Sequence, residues 1–319
     1  MSVTGHVTKV ENTAVAMPPQ PAPESPVAPE SEAAVESAAA PEPGAAAAPS
    51  PDAARPTWLA PVQRTAAAVG WGLLGGLLFV GLWAVVAYRS GDLPSPSSAF
   101  STLIDLLADP FRDGGETDKG IGLQLAISLG RVFSGFALAA LVGVPLGLLI
   151  GGSRRAWQAV NPVVQILRPV SPLAWFPLGL VVFKDAPNAA VFVIFVTALW
   201  PTVLNTAAGA ASVPEDQHNV ARVFRFSRFS YVRNIVIPHA LPSVVTGLRL
   251  SMGIAWMVIV AVEMLSGGTG IGFFVWDSYN ASNLSAVISA ILLIGCIGVV
   301  LDCLFLWLSR LVGAKESGQ

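Results

Sequence analysis

The sequence has little charge. Asp, Glu, Lys and Arg make up 12% of its 319 residues, whereas hydrophobic residues make up 53%. Soluble globular domains carry about 25% charged residues, so this chain has too little charge to cover a surface that faces water. The composition therefore indicates a membrane protein. The net charge of −2 gives no support to a nucleic-acid partner.

Cysteine and histidine are also scarce, which argues against a disulfide framework and a metal centre. The two cysteines, Cys296 and Cys303, lie in one apolar run. On a helix they would be about 10 Å apart along the axis, too far for a disulfide. The histidines are scattered at His6, His218 and His239, so we predict no metal site.

Motifs of nucleotide-hydrolysing and other hydrolytic enzymes are absent as well. The chain contains no G-x-x-x-x-G-K-[ST], no H-E-x-x-H and no G-x-S-x-G, the patterns that hold phosphates, zinc or a nucleophilic serine. The run GGTGIG at 267–272 is not G-x-G-x-x-G, and we interpret it as a tight external turn. We predict no catalytic residue, no enzymatic activity and no cofactor bound by this chain.

Residues 1–60 differ in composition from the rest of the chain. They are rich in Pro, Ala, Ser and Glu, and seven acidic residues face two basic ones. Such a segment cannot bury enough apolar surface to offset the entropy of ordering it. We predict a disordered acidic cytoplasmic tail at 1–60, a transmembrane domain at 61–312 and a short C-terminal tail at 313–319.

Long runs with little or no charge follow the tail. A helix needs about 20 apolar residues to cross a bilayer, and six runs reach that length. The third contains Arg168 and three prolines and is the least regular. The predicted spans are 64–89, 131–154, 161–183, 185–215, 244–265 and 277–308. The fold class is therefore all-α, a polytopic membrane protein with about six transmembrane helices.

The distribution of Lys and Arg predicts the orientation. With the N-terminus inside, the inner connections hold arginine pairs and clusters, such as Arg154 with Arg155 and the four arginines at 222–233. The outer connections hold fewer basic residues, diluted by Asp and Glu. The positive-inside rule then places both termini in the cytoplasm of a multi-pass protein of the plasma or inner membrane.

The cytoplasmic loop at 209–243 carries a second pattern. Ser212 and Glu215 form an S-x-x-E capping box with Pro214 between them, which predicts a helix start. Val220, Val223, Phe224 and Ser227 then share one helical face. YVRNIVI resumes the pattern, and Pro238 is expected to end it. Two short amphipathic helices result, which either rest on lipid headgroups or dock onto a soluble partner.

This loop resembles the "EAA" loop of ABC importer permeases, whose pattern is Glu-Ala-Ala, Gly four residues on, and then Ile-x-Leu-Pro. Asn219-Val220-Ala221 stands at the first block, Arg225 at the glycine and Ile235-Val236-Ile237-Pro238 at the last block. Two positions depart from the pattern, namely Asn219 for Glu and Arg225 for Gly. The resemblance implies that this loop couples the chain to an ATPase. The implied coupling residues are Pro214, Asn219, Val220, Ala221, Val223, Phe224, Arg225, Ile237 and Pro238.

Three further stretches resemble the nitrate, sulfonate, taurine and bicarbonate group of these permeases, and most of all its nitrate/nitrite permease subunits. They are DKGIGLQLAISLGRVFSGF (118–136), ILRPVSPLAWFPLGLVVF (166–183) and EMLSGGTGIGFFVWDSYN (263–280). The resemblance implies a type I ABC importer permease bundle that carries a small oxyanion. It also implies the partners: ATPase subunits that hold ATP and Mg, an extracytoplasmic substrate-binding protein and a second permease subunit, as in a homodimer. Sulfonate, taurine and bicarbonate are alternative substrates, and a channel or secondary transporter is the alternative class.

Polar and aromatic residues inside the spans are candidates for the pathway. Because intramembrane charge is expensive, each charged residue needs a reason. We expect Glu263 to form a structural ion pair or hydrogen bond, and Asp302 to pair with Arg249 or Arg310. Arg131 and Arg168 are pathway cations or interfacial anchors, and Asn205 is expected to bond between helices. The pathway candidates are Arg131, Trp175, Asn205, Arg249 and Trp276.

Overall fold

The computed structural model describes residues 59–115 and 118–313. The predicted acidic tail lies outside these residues except for its last two positions. The predicted C-terminal tail lies outside them except for its first position. The chain divides into the units Met1–Gln63 and Arg64–Gln319, and the architecture below is that of the second unit.

The described residues are helical almost throughout. The only β pairing within them is an isolated bridge between Asp113 and Lys119, so the all-α prediction is confirmed. A 3₁₀ turn, Pro172–Ala174, precedes α5, and a π-turn, Val232–Val236, precedes α9. The α-helices are α1 (Leu59–Ser90), α2 (Pro96–Ala108), α3 (Ile121–Gly151), α4 (Arg154–Leu167), α5 (Trp175–Phe183), α6 (Ala186–Ala211), α7 (Glu215–Val223), α8 (Arg228–Tyr231), α9 (Ile237–Ser266), α10 (Ile271–Asn280) and α11 (Leu284–Gly313).

Five segments are long and apolar enough to cross a membrane: α1 from Gly70 onward, α3, α6, Arg228–Ser266 and α11. A sixth candidate is the pair formed by α4 and Pro172–Phe183, which is bent by 88°. The prediction of about six spans is thereby confirmed, whereas a single continuous third span at 161–183 is wrong.

Prolines explain the break in the third span. Pro169 and Pro172 lack the N–H group that a continuing helix would need. Ser171, the residue before Pro172, has φ −55° and ψ 131°, because a residue that precedes proline is driven out of the helical region. The helix therefore stops after Leu167 and resumes in a new direction at Pro172.

The centre of the bundle is formed by α3, α6 and α9, whose contacting faces carry small residues. A Cβ on Gly147 of α3 would lie 2.5 Å from the Cβ of Thr206, and one on Gly247 of α9 would lie 2.7 Å from the Cβ of Asn205. Neither helix pair could approach so closely with a larger residue there. By contrast α1 is almost wholly exposed from Gly70 onward, as expected of a helix at the periphery.

Pro238 does not end a helix, which corrects the sequence-based expectation. The π-turn Val232–Val236 runs directly into α9, and the Ile237 N–H reaches back to the Val232 carbonyl. Pro238 lies in the first turn of α9, and the wider π-turn accommodates the proline without interrupting the helix. The fifth span therefore starts within the loop at 209–243 rather than near 244.

Two short helices were not predicted. α2 begins after Ser95, whose hydroxyl accepts the Ser98 N–H at 3.3 Å. α10 occupies the connection between the fifth and sixth spans, so that the last span begins at Leu284 rather than at 277. Both helices are too short to register as membrane spans in the sequence.

Candidate functional site

The first helix of the loop at 209–243 starts where the sequence predicts, but its N-terminus is capped by a different residue. Pro214 is the N-cap residue of α7, and Glu215 and Asp216 occupy its first turn, where negative charge is favourable. The predicted capping box is wrong: Ser212 closes α6 instead, and its hydroxyl donates to the Gly209 carbonyl at 3.0 Å.

The end of α7 is a left-handed turn at Arg225. This residue has φ 50°, a conformation that is costly for any residue except glycine. The Arg225 N–H donates to the Arg222 carbonyl at 3.2 Å, and the Phe226 N–H donates to the Ala221 carbonyl at 2.9 Å. These two bonds form a Schellman motif. Arg225 stands where the ABC permease pattern has glycine, so the turn gives a physical reason for glycine at that position.

We predict that Arg225→Gly strengthens this turn. Removing the side chain relieves the left-handed strain, by about 1 kcal/mol, so amide hydrogen exchange at 221–226 should slow. Arg222→Gly is the matched control, because Arg222 lies within α7 and glycine there should weaken the helix by about 1 kcal/mol. Equal or faster exchange in Arg225→Gly than in the wild type would contradict the proposed strain.

The apolar face predicted for α7 is exposed. Val223 is 78% exposed, Phe224 69% and Val220 50%, whereas Ala221 is only 7% exposed and faces the bundle. Exposed apolar clusters rimmed by polar residues mark interaction sites. The arginines at 222, 225, 228 and 233 supply such a rim. The structure therefore brings Val220, Val223 and Phe224 together on an accessible surface, whereas the predicted coupling residue Ala221 is buried. Ile237 and Pro238 lie apart from them, at the start of α9.

Hydrogen bonds connect the elements that surround the loop at 209–243. The Tyr231 hydroxyl lies 2.8 Å from Nε2 of His218 on α7. On α9, Nε2 of His239 lies 3.1 Å from the carbonyl of Ser212, at the end of α6. A groove of about 600 Å³ between α7 and the start of α9 is lined by Val220 and Pro238, among others. One hydrogen bond therefore links α7 to the segment that leads into α9, and another links the end of α6 to α9.

At the opposite end of α9, Arg131 and Glu263 form a buried ion pair, as expected for Glu263. The Arg131 Nη1 donates to the Glu263 Oε1 at 2.7 Å, and also to the Thr269 carbonyl at 2.7 Å. Glu263 is fully buried, and it accepts further bonds from the Ser128 hydroxyl at 2.7 Å and the Gly272 N–H at 3.1 Å. Arg131 therefore holds the GGTGIG segment in place.

Two polar residues of this network were missed at the sequence level. Gln124 accepts the Gly270 N–H at 2.5 Å, and Ser128 accepts the Ile271 N–H at 2.8 Å. Their spacing contained the signal, because Gln124, Ser128 and Arg131 recur at intervals of four and three and so share one face of α3. Gly270 has φ 124°, which confirms that GGTGIG is a tight turn.

A second ion pair joins α9 and α11. The Arg249 Nε and Nη2 donate to the Asp302 carboxylate at 2.7 and 2.8 Å, so Asp302 pairs with Arg249 rather than Arg310. Their side chains are 37% and 49% exposed. Because a charge pair facing lipid inside a span is unfavourable, this face requires either water or a covering subunit. A cavity of about 210 Å³ lies beside the pair and includes Met257.

The other pathway candidates lie in three different places. Trp175 begins α5 at the break of the third span. The Asn205 amide donates to the Pro201 carbonyl of its own helix at 2.8 Å, so the expected interhelical bond is wrong. Trp276, expected inside a span, lies instead on α10 between the fifth and sixth spans, and it stacks on Tyr279 with ring centroids 5.8 Å apart. These candidates do not converge on one site.

The surface near α2 and α10 contains a charged recess of about 400 Å³. Beside it, Lys119 donates to Asp113 at 2.8 Å, and this hydrogen bond lowers the pKa of the Asp113 carboxyl. The acidic residues of the recess are partly balanced by Arg112 and Lys119. It is lined by Asp105, Asp109, Arg112, Asp118, Lys119 and Asp277, among others. Within the described residues, no group of His, Cys, Asp and Glu has the arrangement of a metal site.

Comparison with known proteins adds independent evidence. The family model described as "Binding-protein-dependent transport system inner membrane component" matches residues 143–314. A nitrate import permease protein of Synechocystis sp. is 46% identical over 236 residues, which cover 74% of this chain and 86% of that protein. A bicarbonate transport system permease protein of Synechococcus elongatus is 41% identical over 263 residues, which cover 81% of this chain and 95% of that protein.

More distant similarities agree. A putative aliphatic sulfonates transport permease protein of Bacillus subtilis is 30% identical over 247 residues, 76% of this chain and 86% of that protein. An inward-facing structure of a methionine ABC transporter matches with a TM-score of 0.54 at 17% identity, covering 60% of this chain and 95% of that chain. This structural match shows the fold of a type I importer permease.

Proposed function

This chain belongs to the family of binding-protein-dependent transport system inner membrane components, and from that premise we propose that it forms the translocation pathway of an ATP-driven importer for nitrate or nitrite. The observation that carries the coupling part of this proposal is the exposed apolar face of α7. The α7 helix ends in a left-handed turn at Arg225, the position where the family pattern has glycine. Energy for transport comes from ATP hydrolysis on separate chains.

The nitrate assignment is supported by the relatives. Proteins named as nitrate import permeases are 44% to 46% identical to this chain over at least 71% of its length. A second candidate is bicarbonate, since bicarbonate permeases are 41% to 42% identical. Both ions are small, planar oxyanions, whereas sulfonates carry a tetrahedral group and their permease relative is 30% identical.

The surfaces of the protomer support the proposed partners. ATPase subunits, which hold ATP and Mg, dock on the α7 face. A second copy of the permease covers the face on which Arg249 and Asp302 are exposed, because these charges are unfavourable against lipid. A substrate-binding protein delivers the anion at the outer surface near α2 and α10. The chain spans the plasma or inner membrane with both termini in the cytoplasm.

Uptake in a deletion strain tests this function. We expect a strain without the gene to lose uptake of labelled nitrate and nitrite and growth on nitrate as sole nitrogen source. The intact gene should restore both. Labelled bicarbonate and taurine are measured in parallel. Normal nitrate uptake together with lost bicarbonate uptake would show that the chain is a permease whose substrate is bicarbonate rather than nitrate. Normal uptake of every anion would refute the oxyanion proposal.

A further inference from the structure

The break between α4 and α5 opens onto a cavity of about 210 Å³. α6 and α9 form its opposite wall. Its polar lining consists of one guanidinium, two indoles and one hydroxyl, and the volume exceeds what an anion of four heavy atoms requires. Its lining includes Arg168, Trp175, Thr197, Trp200 and Ile254.

The cavity lies at mid-depth in the bundle. Thr197 is eleven residues from the start of α6, and Ile254 is twelve residues from the end of α9. At a rise of 1.5 Å per residue, both lie about 17 Å from those helix ends. Interrupted helices at this depth are tolerated only where the irregular backbone is buried in protein or lines a water-filled cavity. The broken span therefore favours a polar pathway rather than lipid on this side.

Arg168 is the cation of this cavity. Its side chain is exposed, and its backbone N–H is satisfied by the Val164 carbonyl at 2.9 Å. Across the described ranges, no carboxylate lies at salt-bridge distance from its guanidinium, whereas Arg131 and Arg249 are each neutralised by an acidic partner. Arg168 thus retains an uncompensated positive charge inside a candidate span, which is costly unless water or an anion meets it.

The surrounding groups suit an oxyanion. A guanidinium presents a planar fork of donors that matches a planar oxyanion in two parallel hydrogen bonds. Trp175 and Trp200 each add an indole N–H, a donor with no acceptor function. In the described part of the chain, the indoles that donate to a protein group are those of Trp83 and Trp256. The indole N–H groups of Trp175 and Trp200 are therefore available to a ligand. No carboxylate lines the cavity, so nothing there repels an anion.

We propose that this cavity is an oxyanion-binding station of the translocation pathway and that Arg168 is its principal contact. The proposal rests on the proposed function, since it takes the transported ion to be a small oxyanion. A station of this kind binds the ion through Arg168 and releases it when the bundle changes conformation. Arg131 and Arg249, by contrast, are paired with Glu263 and Asp302 and have structural roles.

Charge rescue at this position tests the proposal in the intact transporter in cells. Cys296 and Cys303 are exposed, so both are first replaced with Ala to give a background without cysteine. In that background, Arg168→Cys should lower the maximal rate of labelled nitrate uptake about ten- to hundredfold. This factor corresponds to the free energy of one charge-assisted hydrogen bond. Treatment with 2-aminoethyl methanethiosulfonate, which restores a positive charge, should recover uptake. The anionic 2-sulfonatoethyl reagent should not.

Two comparisons complete the design. Arg155→Cys is the matched control, because Arg155 lies on α4, which leads to Arg168, but does not line the cavity. Uptake by this variant should respond to neither reagent. Arg168→Lys should keep more uptake than Arg168→Gln at equal protein levels. Excess nitrate should slow modification of Arg168→Cys.

Three results would overturn the proposal. They are normal uptake by Arg168→Cys, equal recovery with both reagents, and modification that nitrate does not slow. A wild type that carries bicarbonate instead of nitrate would correct the proposed substrate alone. The same charge rescue, measured with labelled bicarbonate, would then decide the role of Arg168.

Discussion

Replacing Val220 and Phe224 with Asp is expected to abolish uptake while the permease remains folded. Both side chains are at least half exposed on α7, so the monomer loses little packing when they change. In an interface, each buried apolar side chain of this size contributes about 1.5–3 kcal/mol, and an unpaired carboxylate in its place adds a desolvation cost. The combined loss corresponds to at least a thousandfold weaker docking of the ATPase.

Co-purification and uptake measured together test this expectation. The doubly substituted permease should reach the membrane in normal amounts, lose its ATPase subunits during purification and show no uptake. Phe229→Asp serves as the control, because Phe229 is 75% exposed on α8 rather than on the α7 face. Retained ATPase subunits together with normal uptake would show that α7 is not the docking helix and would favour an interfacial role on lipid headgroups.

Glu263→Ala is expected to prevent accumulation of folded permease. The substitution leaves Arg131 without its carboxylate in a buried position and removes the acceptor of the Ser128 hydroxyl and the Gly272 N–H. Removing one partner of a buried ion pair costs about 3–5 kcal/mol, a large part of a typical stability of about 5–15 kcal/mol. We expect little monodisperse protein by size-exclusion chromatography and a markedly lower midpoint of thermal unfolding.

The exposed ion pair between Arg112 and Asp118 provides the control. Its side chains are 59% and 63% exposed, and Asp118→Ala should therefore change stability by less than about 1 kcal/mol. The midpoint of thermal unfolding of Glu263→Gln should lie between those of Glu263→Ala and Asp118→Ala, since glutamine keeps a hydrogen-bond acceptor but loses the charge. If Glu263→Ala unfolds at the same midpoint as the wild type, the network at the GGTGIG turn does not stabilise the bundle.

The helices of this fold were predictable where a single local signal dominates. Charge-free runs of sufficient length identify the spans because burial in hydrocarbon acts on every residue of the segment. The apolar face of α7 was predictable for a related reason, since Val220, Val223 and Phe224 recur at helical spacing. Short helices such as α2 and α10 carry neither signal.

The effect of proline was predicted incorrectly at two sites. Pro169 and Pro172 interrupt the third span, which was expected to be continuous, whereas Pro238 was expected to end a helix and is accommodated by the π-turn that precedes it. The sequence contains the same residue type in both places. The outcome depends on whether neighbouring backbone supplies an alternative hydrogen-bonding pattern, and tertiary packing determines that.

Long-range pairs were the least predictable part of the candidate site. Glu263 was expected to have a partner, but Arg131 lies 132 positions away, and nothing local selects it. Asp302 had two possible partners, and the packing of α9 against α11 brings Arg249 to it. The cavity at Arg168 depends on an 88° bend. The prolines account for the break but not for the angle, so the lining residues of the cavity emerge only from the folded bundle.

Transport by the purified complex distinguishes an ATP-driven nitrate importer from a channel or a secondary transporter. The permease is reconstituted in vesicles with its ATPase subunits, with ATP on the ATPase side and with labelled nitrate and the substrate-binding protein on the other side. We expect nitrate to accumulate only when ATP is present and nitrate-loaded binding protein to stimulate ATP hydrolysis. Equal nitrate entry with and without ATP, or hydrolysis unaffected by loaded binding protein, would contradict this expectation.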